Sequence, residues 1–215
     1  MVTDIRFSGF GGQGIIRSAY IVGKACSLFE DKHATMTQSF GPEARGSACS
    51  SQLVVSDASI LYPYVGQTHI LVAMSQEAYD KFVPQVREDG VIFVDQDLVQ
   101  PTGAPKGTRI FSVPATRTAE TLGNKIVANI VMLGFFTALT DVVSADALKE
   151  SLPGAVPDRA LELNLKAFDN GHEYGLEQYR SNNGKQMTAT LSDLVEIQPP
   201  EGVDTGLIQL SSNGE

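Results

Sequence analysis

Short apolar runs alternate with helix-spaced apolar residues along most of the chain. Asp4 to Ser8 has a strand's composition and runs straight into Gly9-Phe10-Gly11-Gly12-Gln13-Gly14. Apolar residues at helical spacing follow: Ile15, Ala19, Val22, Ala25, Cys26 and Phe29. A second strand is predicted from His33 to Thr37, and it gives way to the turn-like Ser39-Phe40-Gly41-Pro42-Glu43-Ala44-Arg45-Gly46. A strand-like run from Ala48 to Val55 comes next, and Leu61-Tyr62-Pro63-Tyr64 breaks the pattern before an apolar strand at Ile70 to Ala73. Ser75 caps a helix carrying Ala78, Phe82 and Val86 on one face, with a bend tolerated at Pro84 and Gly90 as its stop. Strands at Val91 to Val94 and Thr108 to Val113 complete this half.

Beyond Pro114 the pattern turns helical: Ala115 to Leu122, Asn124 to Leu139, Ala145 to Leu152, and Pro157 to about Gly171. The helix from Asn124 is apolar nearly all round, the profile of an element buried on several sides. Strands alternating with helices predict an α/β fold of three layers, a Rossmann-like variant with a mostly parallel sheet and helices on both faces. We expect one domain over residues 1–175 and a tail over 176–215, in which Met187 to Ile197 is apolar enough to dock on the domain or a neighbour.

The 215 residues, 42% hydrophobic, suit one domain with an appendage. Sixteen basic against 25 acidic residues give a net charge of -9, which argues against a nucleic-acid surface and for a protein or small-molecule partner. The first residues carry no basic patch followed by an apolar run, so a cytoplasmic chain is expected. The most apolar stretch, Ile126 to Leu139, falls short of the roughly 20 residues that span a bilayer. Cys26 and Cys49 are too few for a four-cysteine iron-sulfur cluster, and His33, His69 and His172 lack the spacing of a metal site.

Gly9, Gly11 and Gly14 have G-x-G-x-x-G spacing between a strand and a helix, a context in which exposed amides and the helix N-terminus suit an anion such as a phosphate. A dinucleotide fingerprint would also place an acid at the end of the second strand, where Thr37 and Gln38 stand; Glu30 and Asp31 come too early. NAD therefore ranks below a general phosphate or interface role. Close packing of strand on helix, with no ligand, explains the same glycines architecturally. In the second loop Glu43 and Arg45 lie two residues apart, and the guanidinium of Arg45 suits a carboxylate or phosphate. A solvated Glu-Arg turn is the plainer account.

Gly9-Phe10-Gly11-Gly12-Gln13-Gly14 followed by Gly41-Pro42-Glu43-Ala44-Arg45-Gly46 resembles the gamma subunits of 2-oxoacid:ferredoxin oxidoreductases. The likeness extends through Asp57 to Pro63, Val72 to Ala78 and Asn164 to Phe168, over about residues 3 to 175. It implies one subunit of an enzyme that oxidatively decarboxylates a 2-oxoacid to an acyl-coenzyme A and reduces ferredoxin. By that resemblance this chain binds no cofactor alone. Thiamine diphosphate, magnesium and the iron-sulfur clusters reside on partner chains, with coenzyme A as co-substrate. Gly9, Gly11, Gly12, Gln13 and Gly14 would then contact coenzyme A phosphates or a subunit interface, and Glu43 and Arg45 a partner or an anion.

No catalytic residue is assigned, the isolated chain is expected to be inactive, and 2-oxoglutarate is weakly favoured over pyruvate and branched-chain oxoacids. The partners implied are the thiamine-binding and iron-sulfur chains, ferredoxin through the complex, and a homodimer when the chain is isolated, with no nucleic acid and no membrane. Two other readings stand beside this one: a free-standing dinucleotide-binding oxidoreductase and a protein-binding scaffold. Cys26 and Cys49 read as buried structural thiols, and Asn124 as a cap with Lys125 in solvent.

Overall fold

The computed structural model describes residues 2–39, 48–61 and 66–181. Six strands form one sheet: β1 (Val2–Phe10), β2 (His33–Ser39), β3 (Ala48–Ser56), β4 (Thr68–Ala73), β5 (Val86–Asp95) and β6 (Arg109–Val113). Their order across the sheet is β2-β3-β1-β4-β5-β6. β1, β4, β5 and β6 run parallel to one another, whereas β3 is antiparallel to both β1 and β2. β2 therefore points the same way as β1, and β3 is the one reversed strand. The expected α/β architecture, with a mostly parallel sheet, is what forms.

Among the described residues six α-helices cover the sheet: α1 (Ile15–Phe29), α2 (Gln76–Phe82), α3 (Ala115–Thr121), α4 (Ala128–Leu139), α5 (Ala145–Ser151) and α6 (Leu161–Ser181). Both faces carry helices, but unequally. α2 lies on Leu71, Ala73, Ile92 and Val94, and the other five share the larger core on the opposite face. Every residue of the central strand β4 is buried, as its unbroken apolar run requires of a strand covered on both sides.

The apolar helix predicted from Asn124 is the keystone of the larger core. Eleven of the twelve residues of α4 are buried. Phe135 meets Phe93 edge-on at 5.8 Å, and Phe136 lies 6.2 Å from Phe7, ring centre to ring centre. On its far side α4 crosses α6 at backbone contact. A methyl group at Gly134 would run into the Phe168 carbonyl, and one at Gly171 into that of Val131.

Three predicted boundaries move. Pro84 does not sit inside a bent helix: α2 stops at Phe82, Val83–Gln85 form one 3-10 turn, and Val86 begins β5. The missing amide of proline and its clash with the preceding turn decide this. Gly90 is accordingly inside β5, beyond residues 87–89, where pairing shifts from Thr68 with Val86 to Ile70 with Val91. The last helix extends past Gly171 to Ser181, with the Gln178 side chain donating to the Ser112 carbonyl at 3.1 Å. Finally, Lys125–Val127 form a 3-10 turn ahead of α4, begun by Asn124, whose side chain accepts from the Ile126 amide at 3.0 Å. The tail segment Met187 to Ile197 and the Tyr62-Pro63-Tyr64 stretch lie outside the described residues.

Candidate functional site

The glycine turn sits where β1 ends and α1 begins, at the carboxyl edge of the parallel strands. Its four glycines serve two different purposes. A Cβ at Gly9 would lie 2.5 Å from Gln13 Oε1 and 2.7 Å from Ile15 Cδ1, and one at Gly14 would lie 2.6 Å from Asn129 Nδ2. Those two positions are closed by packing inside the chain. Gly11 and Gly12 are exposed, and a Cβ on either would meet nothing within 4 Å. Gly12 has φ of 99° and Gly14 of 73°, conformations that glycine adopts without strain. The outer half of the turn thus presents bare backbone to the space above it.

Gln13 holds the turn in shape. Its Oε1 accepts from the Phe10 amide at 2.7 Å, and its Nε2 donates to the Met74 carbonyl at 2.8 Å. The Met74 amide in turn donates to the Ser8 carbonyl at 2.9 Å. Both ends of the Gln13 side chain are therefore engaged in joining the glycine turn to the β4–α2 connection. On the other side Asn129, buried on α4, donates to the Gly14 carbonyl and to Ser18 Oγ, each at 3.3 Å. The start of α1 is thus fixed from two directions.

The same edge gathers other helix starts. α2 opens at Ser75, whose side chain accepts from the Ala78 amide. α3 follows β6, and beside it the fully buried Asp95 at the end of β5 accepts from the Thr116 amide and hydroxyl at 2.9 and 2.6 Å and from the Asp97 amide at 3.1 Å. That carboxylate is spent on the fold. Lys125, expected in solvent, is exposed and pairs with Glu120.

Glu43 and Arg45 lie outside the described residues. The residues flanking their segment do not: Ala48 pairs with Phe10, and Ser39 with Ser50. The chain thus leaves β2 and re-enters β3 at the edge that carries the glycine turn. Asp31 and Glu30 precede β2 at the opposite edge, where His33 and Val2 both pair with Ser56, as expected. Glu30 is committed there, accepting from the Ser144 amide and pairing with Lys32. The dinucleotide reading meets a further obstacle. β3 stands between β1 and β2, so the end of β2 is not beside the glycine turn as ribose recognition requires.

Sequence reasoning missed three residues because their roles depend on contacts far along the chain. Asn129 and Asp95 are two. The third is Arg6, which is buried with its guanidinium 4.5 Å from the Phe82 ring centre, and burial lowers its pKa. With the Gln52 amide turned to suit, its oxygen accepts from both terminal nitrogens of Arg6 at 3.2 and 2.5 Å. An arginine in the middle of a strand gives no local sign of such a stack. At the other end of β1, His69 Nδ1 accepts from the Asp4 amide at 2.9 Å. Burial pushes the Asp4 carboxyl up to about 6, and burial followed by the Arg87 charge takes His69 down to about 4.

The two cysteines do not suit a metal cluster. Both are buried, Cys26 on α1 and Cys49 on β3, and burial raises both thiols, that of Cys26 to about 12. Among the described residues no group of three His, Cys, Asp or Glu side chains is placed to hold a metal ion, and no helix is long and apolar enough to cross a membrane.

Fold and site together define an α/β domain with a rim of bare glycine backbone at the carboxyl ends of its parallel strands. Residues 4–174 match the family model described as pyruvate ferredoxin/flavodoxin oxidoreductase. The chain is 46% identical over 179 residues to the 2-oxoglutarate synthase subunit KorC of Methanocaldococcus jannaschii, covering 82% of this chain and 96% of that one. It is 34% identical to the pyruvate synthase subunit PorC of Methanothermobacter marburgensis, over 77% of this chain and 96% of that one. Among solved structures it is similar to the gamma subunit of keto/oxoacid ferredoxin oxidoreductase from Geobacter sulfurreducens, with 39% identity, a TM-score of 0.73, and coverage of 82% of this chain and 98% of that one. It also matches the 2-oxoglutarate:ferredoxin oxidoreductase of Magnetococcus marinus, solved with 2-oxoglutarate, coenzyme A and succinyl-CoA bound, at 25% identity and a TM-score of 0.73, over 81% of this chain and 31% of that one. The chain belongs to the pyruvate ferredoxin/flavodoxin oxidoreductase family, and its relatives are subunits of enzymes that oxidise 2-oxoacids.

Proposed function

We propose that this chain is the gamma subunit of a cytoplasmic 2-oxoglutarate:ferredoxin oxidoreductase, and that its glycine turn meets coenzyme A phosphate at the junction with the catalytic subunits. The choice of 2-oxoglutarate rests on the KorC relatives, of which the chain covers nearly the whole length. The observation that carries the site is the open space over Gly11 and Gly12: no part of the chain packs against either position, and at Gly11 no positive φ calls for glycine, while Gly9 and Gly14 are closed by packing. Backbone amides at the start of a fifteen-residue helix, held by Gln13 and Asn129, suit a phosphate that approaches within hydrogen-bond reach. Thiamine diphosphate, magnesium and the iron-sulfur clusters belong to partner chains in this reading, in keeping with two buried cysteines. Arg45 and Glu43, outside the described residues, remain candidates for an anion or partner contact in this reading, since the described chain on either side of them, Ser39 and Ala48, lies at the same edge of the sheet.

The test is reconstitution of a Gly11→Val variant with the partner subunits. The variant keeps the wild-type melting temperature and raises the KM for coenzyme A at least about tenfold, the loss of one or two phosphate hydrogen bonds. Unchanged coenzyme A kinetics with unchanged assembly would leave the chain a scaffold and overturn the site assignment. Turnover of an oxoacid by the purified chain alone would overturn the subunit reading itself.

A further inference from the structure

β2 is the outermost strand of the sheet. All seven of its residues pair with β3, and among the described residues nothing pairs with its other side. Natural edge strands are blunted by charge, proline, bulges or shortness, because an open row of amides and carbonyls templates a further strand. β2 has none of these. Ala34-Thr35-Met36-Thr37-Gln38-Ser39 carries no charge, proline or glycine, and its pairing with β3 is unbroken. The opposite edge is guarded: β6 has five residues, opens on Arg109, and its Ser112 carbonyl is taken by Gln178.

We propose that β2 pairs antiparallel with β2 of a second copy of this chain, joining two six-stranded sheets across a two-fold axis at Met36. This inference does not rest on the reading of the glycine turn. The strand is self-complementary about that axis. Thr35 falls opposite Thr37 of the second copy and Thr37 opposite its Thr35, a cross-strand pairing that stabilises sheets. Met36 meets Met36, a flexible thioether that fits its own image. Ala34 faces Gln38 and His33 faces Ser39, so no like charges are opposed along the strand.

The flank agrees. α1 rests over this edge: a Cβ at Gly23 would lie 3.1 Å from Leu53 and 3.7 Å from Ala34. Tyr20, one turn earlier on α1, is 49% exposed, and the two-fold brings it toward the second copy. Two-fold pairing of identical surfaces is the commonest way for a chain to associate with itself. The net charge of -9 opposes it at long range, so association strengthens as salt rises.

Light scattering after size exclusion of the full-length chain is the measurement, with two variants, Thr35→Lys/Thr37→Lys and Thr35→Asp/Thr37→Asp. The wild type is a dimer at micromolar concentration. Each charged variant alone is a monomer, and an equimolar mixture of the two forms a heterodimer, because lysine then faces aspartate in both rows. A monomeric wild type overturns the proposal, and so do dimers in either single variant or a mixture that stays monomeric. Should the variants fail to fold, hydrogen exchange on the wild type decides: amides of residues 33–39 that exchange no faster on dilution rule the pairing out.

Discussion

At the scale of single residues, the glycine turn divides into packed and open positions. Gly14→Ala places a methyl group against Asn129 at a positive φ and is expected to cost about 1–3 kcal/mol, read as a lowered denaturation midpoint. Gly11→Ala has open space and leaves the midpoint within about 0.5 kcal/mol of wild type. If both variants lose equal stability, the division of the turn into packed and open glycines is wrong. A second residue-scale prediction concerns pH. Asp4, raised to about 6, favours the protonated fold, so its contribution is present below the ordinary carboxylate range and is lost as pH rises through 6. His69, lowered to about 4, works the other way: its contribution is present above the usual histidine value and is lost as pH falls through 4. Between about pH 4 and 6 the two slopes oppose each other. Asp4→Asn leaves the Asp4 amide bond to His69 in place and unmasks the histidine, so its melting temperature climbs more steeply from pH 4.5 to 6.5 than that of wild type. Parallel melting curves would show that the burial of these two groups has been misjudged.

Elements are held together most tightly where α4 crosses α6. Gly134 and Gly171 let the two backbones touch, and Gly175 sits against Ala138. Gly171→Ala cannot be absorbed by moving a side chain, because the obstacle is the Val131 carbonyl. The helices must separate, with an expected cost of about 3 kcal/mol or more and a fall in melting temperature of roughly 10 °C. A shift smaller than about 2 °C would mean that the crossing is looser than described. Much at this scale was readable beforehand. The strand-turn-helix at Gly9 to Gly14, the buried α4 and the Asn124 and Ser75 caps all follow from local spacing. The break at Pro84 was legible too, since proline disfavours the helix interior whatever its surroundings. The apolar run through Val86 outweighed that local signal in the sequence pattern. The length of α6 was not legible, because Gly171 and Gly175 look like stops until α4 is seen to require them.

For the whole molecule, the matched region and the helical cover end close together. Two KorC relatives are covered almost entirely by about 180 residues of this chain, and α6 ends at Ser181. A chain truncated after Ser181 is expected to melt within about 2 °C of full length. Truncation after Gly175 removes the Gln178 bond to β6 and the last turns of α6, and it lowers the midpoint measurably. Equal melting of both truncations would place the functional boundary at 175, as the sequence pattern alone suggested. Oligomer and complex are separate questions at this scale. As proposed above, the first turns on β2 and the second on the rim at the far end of β1.

The sequence by itself determined the alternation of elements, the mostly parallel α/β class, the glycine turn and the family likeness. All of these are encoded in spacings a few residues long, where backbone conformation and side-chain periodicity act locally. Only the tertiary structure decided that β3 is inserted between β1 and β2, that Gln13 and Asn129 clamp the turn, that Arg6 stacks on Phe82, and which glycines face outward. Each of those depends on partners tens of residues away, and the chain must close on itself before such contacts exist.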